Sequence, residues 1–307
     1  MEYGPTMSLD RRVWIETDRP EEKIALSEPL PGVALLSAKR SNRHCNEYHD
    51  TFKLCLIHPR QQGVGAAYRC RGEHEVASGE LMAFEPGDHH LTTRVGNKKL
   101  DYSVISFAPE VLNEAASELG VRGEFHYRAA RVEQPAVASA MLNFVQSTAR
   151  GDSRLTLEAH RDALLEAVIN RCGEKAPSRP RRLPVPHHGV RKVFRYLCER
   201  YAEPTNLKLL AEMAGTSEHY LSHVFKDNYG IAPLAFRALR RLSEAQRRLA
   251  HDTPIADVAL GLDYADTAHL TRLFKRQYGA PPGRWRTGLD QNRSLDQSQD
   301  WRRRIRR

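Results

Sequence analysis

The sequence predicts a multidomain fold: a small N-terminal β-barrel or sandwich with appended helices, then an all-α domain built from a repeated pair of helices. Three observations carry this expectation. Short β-type runs separated by turn residues fill residues 30 to 108, a proline-rich stretch follows at 173 to 186, and beyond it strand signals stop while one helical pattern occurs twice. A chain of 307 residues accommodates two domains of roughly 100 to 200 residues each.

The β-type runs are Val33 to Leu36, Phe52 to Ile57, Ala66 to Tyr68, Leu81 to Phe84 and Tyr102 to Phe107, with Gly, Pro and Asp between them. Apolar residues then fall at helical spacing at Val137, Met141, Leu142 and Val145, and again at Leu157, Leu164, Leu165, Val168 and Ile169. Two helices therefore close the first domain, residues 1 to 172. Closing a small barrel needs one apolar helix face, so the surplus stripe predicts a homodimer formed through one of these helices. Residues 173 to 188 read as a linker, because the four prolines between Gly173 and Pro186 remove backbone donors and disfavour helix before them. The second domain spans 189 to 287, and 288 to 307, ending Trp301 to Arg307, reads as a basic tail without a core-forming period.

Charge separates the two halves. Of the net +9, residues 1 to 175 contribute −3 and residues 176 to 307 contribute +12. A field of that sign on one domain attracts polyanions, of which nucleic acid is the commonest. No apolar run approaches the ~18 residues of a membrane-spanning helix. The start, with Glu2 and Asp10, lacks the basic and apolar regions of a secretory signal, so a cytoplasmic location is expected. Cys45, Cys55, Cys70, Cys172 and Cys198 form no C-x-x-C pair and are expected to be reduced thiols.

The repeat is the most informative feature. Leu221, Phe225, Lys226, Tyr229, Gly230 and Pro233 recur 49 residues later as Leu270, Phe274, Lys275, Tyr278, Gly279 and Pro282. A second helical pattern precedes each copy, with Ser217 and Asp266 placed as N-caps after a short turn. Two helices and a turn, occurring twice in a basic domain, describe a pair of helix-turn-helix motifs. Burying Leu221, Val224 and Phe225 leaves His219, Ser222, His223 and Lys226 free; burying Leu270, Leu273 and Phe274 leaves Thr267, Ala268, Thr271, Arg272 and Lys275 free. Such faces put short side chains on base edges and cations on phosphate or guanine. Between the copies, residues 233 to 250 predict a helix of roughly 25 Å, a rod able to hold two recognition helices about one DNA turn, ~34 Å, apart.

On these residues the segment from 189 to 287 resembles the DNA-binding domain of the AraC/XylS family of bacterial transcription regulators. The pattern is carried by Leu210-Ala211, Ser217, Leu221 and Phe225-Lys226, then by Gly230-x-x-Pro233-x-x-Phe236, Arg241-Leu242-x-x-Ala245-x-x-x-Leu249 and Ile255-x-x-Val258-Ala259. It ends with Asp266-x-x-x-Leu270-Thr271-Arg272-x-Phe274-Lys275-x-x-Tyr278-Gly279-x-Pro281-Pro282-x-x-Trp285-Arg286. Asp263-Tyr264 stands where the family usually has Gly-Phe, His223 replaces a common Arg, and Leu270 a common Phe. Aspartate tolerates a left-handed turn, so the fold should survive the first change.

The resemblance implies a cupin-like N-terminal barrel that binds a small-molecule effector and helps form a dimer. It also implies double-stranded promoter DNA as a partner and RNA polymerase as another, as for an activator. The stretch Gly79 to His90 is similar to the strand-turn-strand that carries the second cupin histidine. Arg43, His49, Lys53 and His90 are the candidates for the effector-pocket wall. The rival reading is a metal-dependent cupin enzyme tethered to a DNA-binding domain, with His44, His49 and His89 or His90 as ligands. That arrangement needs an H-x-H pair with a nearby Glu, which His44-Cys-Asn-Glu-Tyr-His49 does not offer, so no metal, other cofactor or catalysis is expected.

Overall fold

The computed structural model describes residues 12–19, 21–59, 65–70, 72–95, 99–174 and 188–292. Most of the segment read as a linker, and the tail beyond 292, lie outside these residues.

The N-terminal half contains two antiparallel sheets. One runs in the order β1 (Ile15–Glu16), β2 (Lys23–Leu30), β3 (Val33–Ser41), β10 (Leu100–Phe107), β5 (Phe52–Ile57), β8 (Leu81–Phe84), β11 (Arg131–Val132). The other runs β4 (Asn46–Tyr48), β9 (His89–Val95), β6 (Gly65–Arg69), β7 (Glu73–Ala77). Among the described residues strand structure begins at Ile15, earlier than the periodicity suggests. In β2 nearly every residue is buried, so the alternation that marks a half-exposed strand is missing.

Among the described residues three helices cover this half: α1 (Pro109–Glu118), α2 (Pro135–Arg150) and α3 (Arg154–Cys172). Pro109 and Pro135 sit in the first turn of α1 and α2, where no amide hydrogen is needed, and Ser153 caps α3 by accepting from the Thr156 amide. Both apolar stripes are consumed in one core. Val137, Met141, Val145, Leu157, Leu164, Leu165 and Ile169 pack with Leu54, Leu56 and Ile105 of the sheet, and Leu142 lies partly buried against the same cluster. The surplus apolar face from which the dimer was argued is therefore not surplus, because α2 and α3 bury against each other as well as the sheet.

The C-terminal half is helical: α4 (His188–Glu199), α5 (Leu207–Ala214), α6 (Glu218–Tyr229), α7 (Pro233–Ala250), α8 (Ile255–Gly261), α9 (Thr267–Tyr278) and α10 (282–292). Ser217 and Asp266 accept from the Tyr220 and His269 amides as N-caps, and Gly230 and Gly279 close α6 and α9 at φ 76° and 85°, a conformation only glycine adopts freely. Asp263, in the family's glycine position, stands at φ 56°. The last helix continues past residue 287, into the stretch read as tail, because Leu289 and Asn292 are buried.

The two halves share a core. Ile15, Ile24, Leu26 and Ala38 of the sheet pack with Leu242, Leu249, Phe274, Trp285 and Leu289 of the helices. This contact explains the two-sided burial of β2. One edge of the N-terminal segment is also tied by polar bonds: the Val13 amide donates to Asn292 Oδ1 at 2.8 Å, and the Asp18 amide to the Gly279 carbonyl at 3.1 Å.

Candidate functional site

The helices α6 and α9 each bury one stripe and free the other. Leu221 and Phe225 of α6, and Leu270 and Phe274 of α9, are fully buried. His219, His223 and Lys226 are exposed, as are Thr267, Ala268, Arg272 and Lys275; Ser222 and Thr271 are half-buried at the stripe edge. The structure thus brings the predicted residues onto two polar faces. The His219 and His223 rings meet edge to face at 4.4 Å. Lys226 and Lys275 lie in the last turns of their helices, where the carbonyl end of the dipole favours a cation.

The helix α7 joins the two units, and its arginines fix them. Arg237 donates to the Glu203 carbonyl at 2.6 Å and to Asp263 Oδ2 at 2.7 Å. Arg241 donates to the carbonyls of Leu262 and Asp263 and lies 4.2 Å from the Tyr264 ring centroid. Arg240 stacks on Tyr48 of the N-terminal half at 4.5 Å and on Tyr201 at 4.9 Å.

The C-terminal ends of both recognition helices abut the N-terminal half. A Cβ at Gly279 would lie 2.5 Å from Arg43 Nη2, and one at Gly230 would lie 3.4 Å from His89 Nδ1. Gln277 donates to the Asn46 carbonyl at 2.6 Å.

Beside this contact lies a cavity of about 320 Å³, walled by both halves. The sheets contribute Leu26, Met82 and Phe84 with Glu47, His49, Lys53 and Tyr102; the helices contribute Leu242, Trp285, Gln277 and Tyr278. Its lining is mainly apolar with a few polar groups, the usual character of a small-molecule site. All four predicted wall residues, Arg43, His49, Lys53 and His90, line it.

They are not equally free. Arg43 is paired with Glu22 at 2.5 Å and Asp18 at 2.8 Å, so its charge is already engaged. Burial opposes the Glu22 charge, but hydrogen bonds from Arg43, Ser41 and Thr17 outweigh it and hold the carboxyl below its ordinary range. Lys53 lies 3.6 Å from Glu47. His49 Nε2 and His90 Nδ1 share a hydrogen bond of 2.7 Å, both rings stack on Phe84, and His49 Nδ1 has no partner among the described residues. Burial pushes both histidines down, His90 to about 4.

The remaining histidines of the expected set go elsewhere. His44 Nδ1 contacts the Thr92 carbonyl at 3.3 Å, and His89 Nε2 contacts Asn46 Oδ1 at 2.6 Å. The group that the fold does assemble is Glu47, His49 and His90, whose donor atoms all lie within 4.8 Å of one another. Glu47 was not singled out from sequence, because no H-x-H pair stands beside it.

Comparison with known proteins gives two domain matches: an AraC-like ligand binding domain over residues 30–169 and a helix-turn-helix domain over 210–288. The chain is 26% identical over 229 residues to the uncharacterized HTH-type transcriptional regulator YbfI of Bacillus subtilis, covering 73% of this chain and 80% of that protein. It is 27% identical over 244 residues to the arabinose operon regulatory protein of Escherichia coli, covering 76% and 79%. A crystal structure of ToxT from Vibrio cholerae superposes with a TM-score of 0.49 at 11% identity, over 85% of this chain and 99% of that one.

Proposed function

Because the chain belongs to the AraC/XylS family of transcription regulators, with a ligand-binding domain followed by a DNA-binding helix-turn-helix domain, we propose that a small-molecule effector in the shared cavity controls its grip on promoter DNA. The cavity carries this reading: one wall is sheet and the other is α7, α9 and α10, so a ligand there touches the element that sets the spacing of the two recognition helices. A ligand that favours one arrangement of the halves shifts the population toward it. DNA is read by His219, Ser222, His223 and Lys226 of α6 and by Thr267, Ala268, Thr271, Arg272 and Lys275 of α9. The relatives are transcription regulators, and the protein acts by binding rather than by catalysis. It works in the cytoplasm, on the chromosome, as a homodimer that engages RNA polymerase. Leu155, in the first turn of α3 with 75% of its surface exposed, is the most exposed large apolar group among the described residues of the N-terminal half and the candidate for self-association.

Sequencing the genomic DNA retained by the purified protein tests the reading. A shared motif with two half-sites about one helical turn apart is expected. Substituting Leu242→Trp, which fills the cavity from α7, should change affinity for that motif; retention of random fragments, or affinity indifferent to the substitution, would refute effector control of sequence-specific binding.

A further inference from the structure

The antiparallel ladder between β4 and β9 pairs Glu47 directly with His90. His49 follows Glu47 by two residues, and side chains two apart along extended backbone project to the same face. His89, one residue from His90, points the other way and meets Asn46. Three donors of two chemical types therefore share one patch of the cavity wall. His49 and His90 are only 1% and 6% exposed. The Phe84 ring stacks on both, at 4.7 and 4.5 Å, and fixes their planes. Their mutual hydrogen bond satisfies one nitrogen of each, while His49 Nδ1 is buried with no partner among the described residues. A buried polar atom left without a partner is costly, and a bound cation would supply the partner.

We propose that Glu47, His49 and His90 bind a first-row divalent transition-metal ion of the zinc type. Two imidazoles and a carboxylate suit Zn²⁺, Co²⁺ or Fe²⁺, whereas Mg²⁺ and Ca²⁺ prefer oxygen ligands throughout. Imidazole ligates only when neutral, and burial keeps both rings neutral at ordinary pH. Three protein ligands leave at least one coordination position for water or a ligand atom in the cavity. Lys53, 3.6 Å from Glu47, balances the carboxylate while the metal is absent. Its flexible stem lets the ammonium withdraw when a dication arrives. The inference concerns metal binding alone and stands or falls apart from effector control.

The test is a Co²⁺ titration of the full-length chain after chelation, read by visible ligand-field absorption and by equilibrium dialysis against Zn²⁺. The exposed pair His219 and His223 sits one helical turn apart and forms a rival chelator, so every titration is run in a His219→Gln, His223→Gln background. One ion per chain is expected. Glu47→Gln and His90→Gln should each weaken binding by at least the about 10- to 100-fold typical of a disturbed metal site. His44→Gln should leave it unchanged. Lys53→Met should tighten it, a gain that misfolding does not produce. No absorption band in that background, or a band that survives Glu47→Gln and His90→Gln together, would overturn the proposal.

Discussion

Arg237 of α7 donates at once to the Glu203 carbonyl and to Asp263 Oδ2, so one buried guanidinium holds the approach to the first helix pair and the turn of the second. The turn residue it grips is the aspartate that replaces the family's usual glycine, held at φ 56°. A left-handed aspartate is strained, and the ion pair of 2.7 Å offsets that strain. Arg237→Ala should therefore lower stability by roughly 1 to 3 kcal/mol, measured by urea unfolding. Arg237→Ala combined with Asp263→Gly should lose less than the sum of the two single changes. Strict additivity would show that the pair does not couple.

Arg272 and Lys275 lie on the free face of α9, one turn apart. Arg272→Ala should cost ~1 to 3 kcal/mol on the specific site and relax preference at one base pair, while Lys275→Ala should weaken all sequences alike and flatten the salt slope by about one unit. Binding measured on specific and random duplexes at several salt concentrations separates them. Equal losses on both duplexes for Arg272→Ala would remove its role in base reading.

The shared core joins Leu242 to the N-terminal strands, which makes the two halves one cooperative unit. Calorimetry of the intact chain should show a single transition. Leu242→Ala should destabilise by about 2 to 5 kcal/mol and separate the transition into two, because it empties the contact between halves. Two transitions in the unsubstituted chain would contradict the shared core.

Histidine burial predicts acid sensitivity. His90 is held at about 4 when folded, against 6.5 for the free group, and His49 is shifted in the same direction. Between those values the unfolded chain binds protons that the folded chain refuses. Stability should thus be complete above about pH 6.5 and fall toward pH 4, by up to roughly 1.4 kcal/mol per unit for each such histidine. Carboxylates held low, such as Glu22, act below about 4.5, so the interval from 5 to 6.5 isolates the histidines. Urea midpoints at pH 5 and 7, in chelator, should differ, and His90→Asn should reduce the difference.

If two copies associate through the N-terminal half, Leu155→Lys should shift sedimentation of the full chain from dimer to monomer at micromolar concentration. A monomer before the substitution would dismiss the dimer altogether.

What the sequence made legible was local. The caps Ser217 and Asp266 are read from spacing, since each acts within one turn of its own position. What stayed hidden depends on partners distant along the chain. Arg43 was read as a residue of the pocket wall, and nothing near it announced its pairing with Glu22, 21 residues away. Glu47 acquired meaning only when strand register set it opposite His90. The shared core was invisible for another reason: Ile24 and Leu26 look like any strand interior, and no periodicity tells whether the second face of a strand meets solvent or a second domain.

The wall that α7 and α9 lend to the cavity has a reciprocal consequence. A molecule bound there that strengthens or weakens the hold on an operator by some factor must itself be held more or less tightly by that same factor once the operator is bound. On the proposed function, the promoter acts as a ligand of the N-terminal half. Screening for the natural effector against the free protein alone would rank compounds differently from a screen that includes DNA, and the compounds that change rank most are those that regulate.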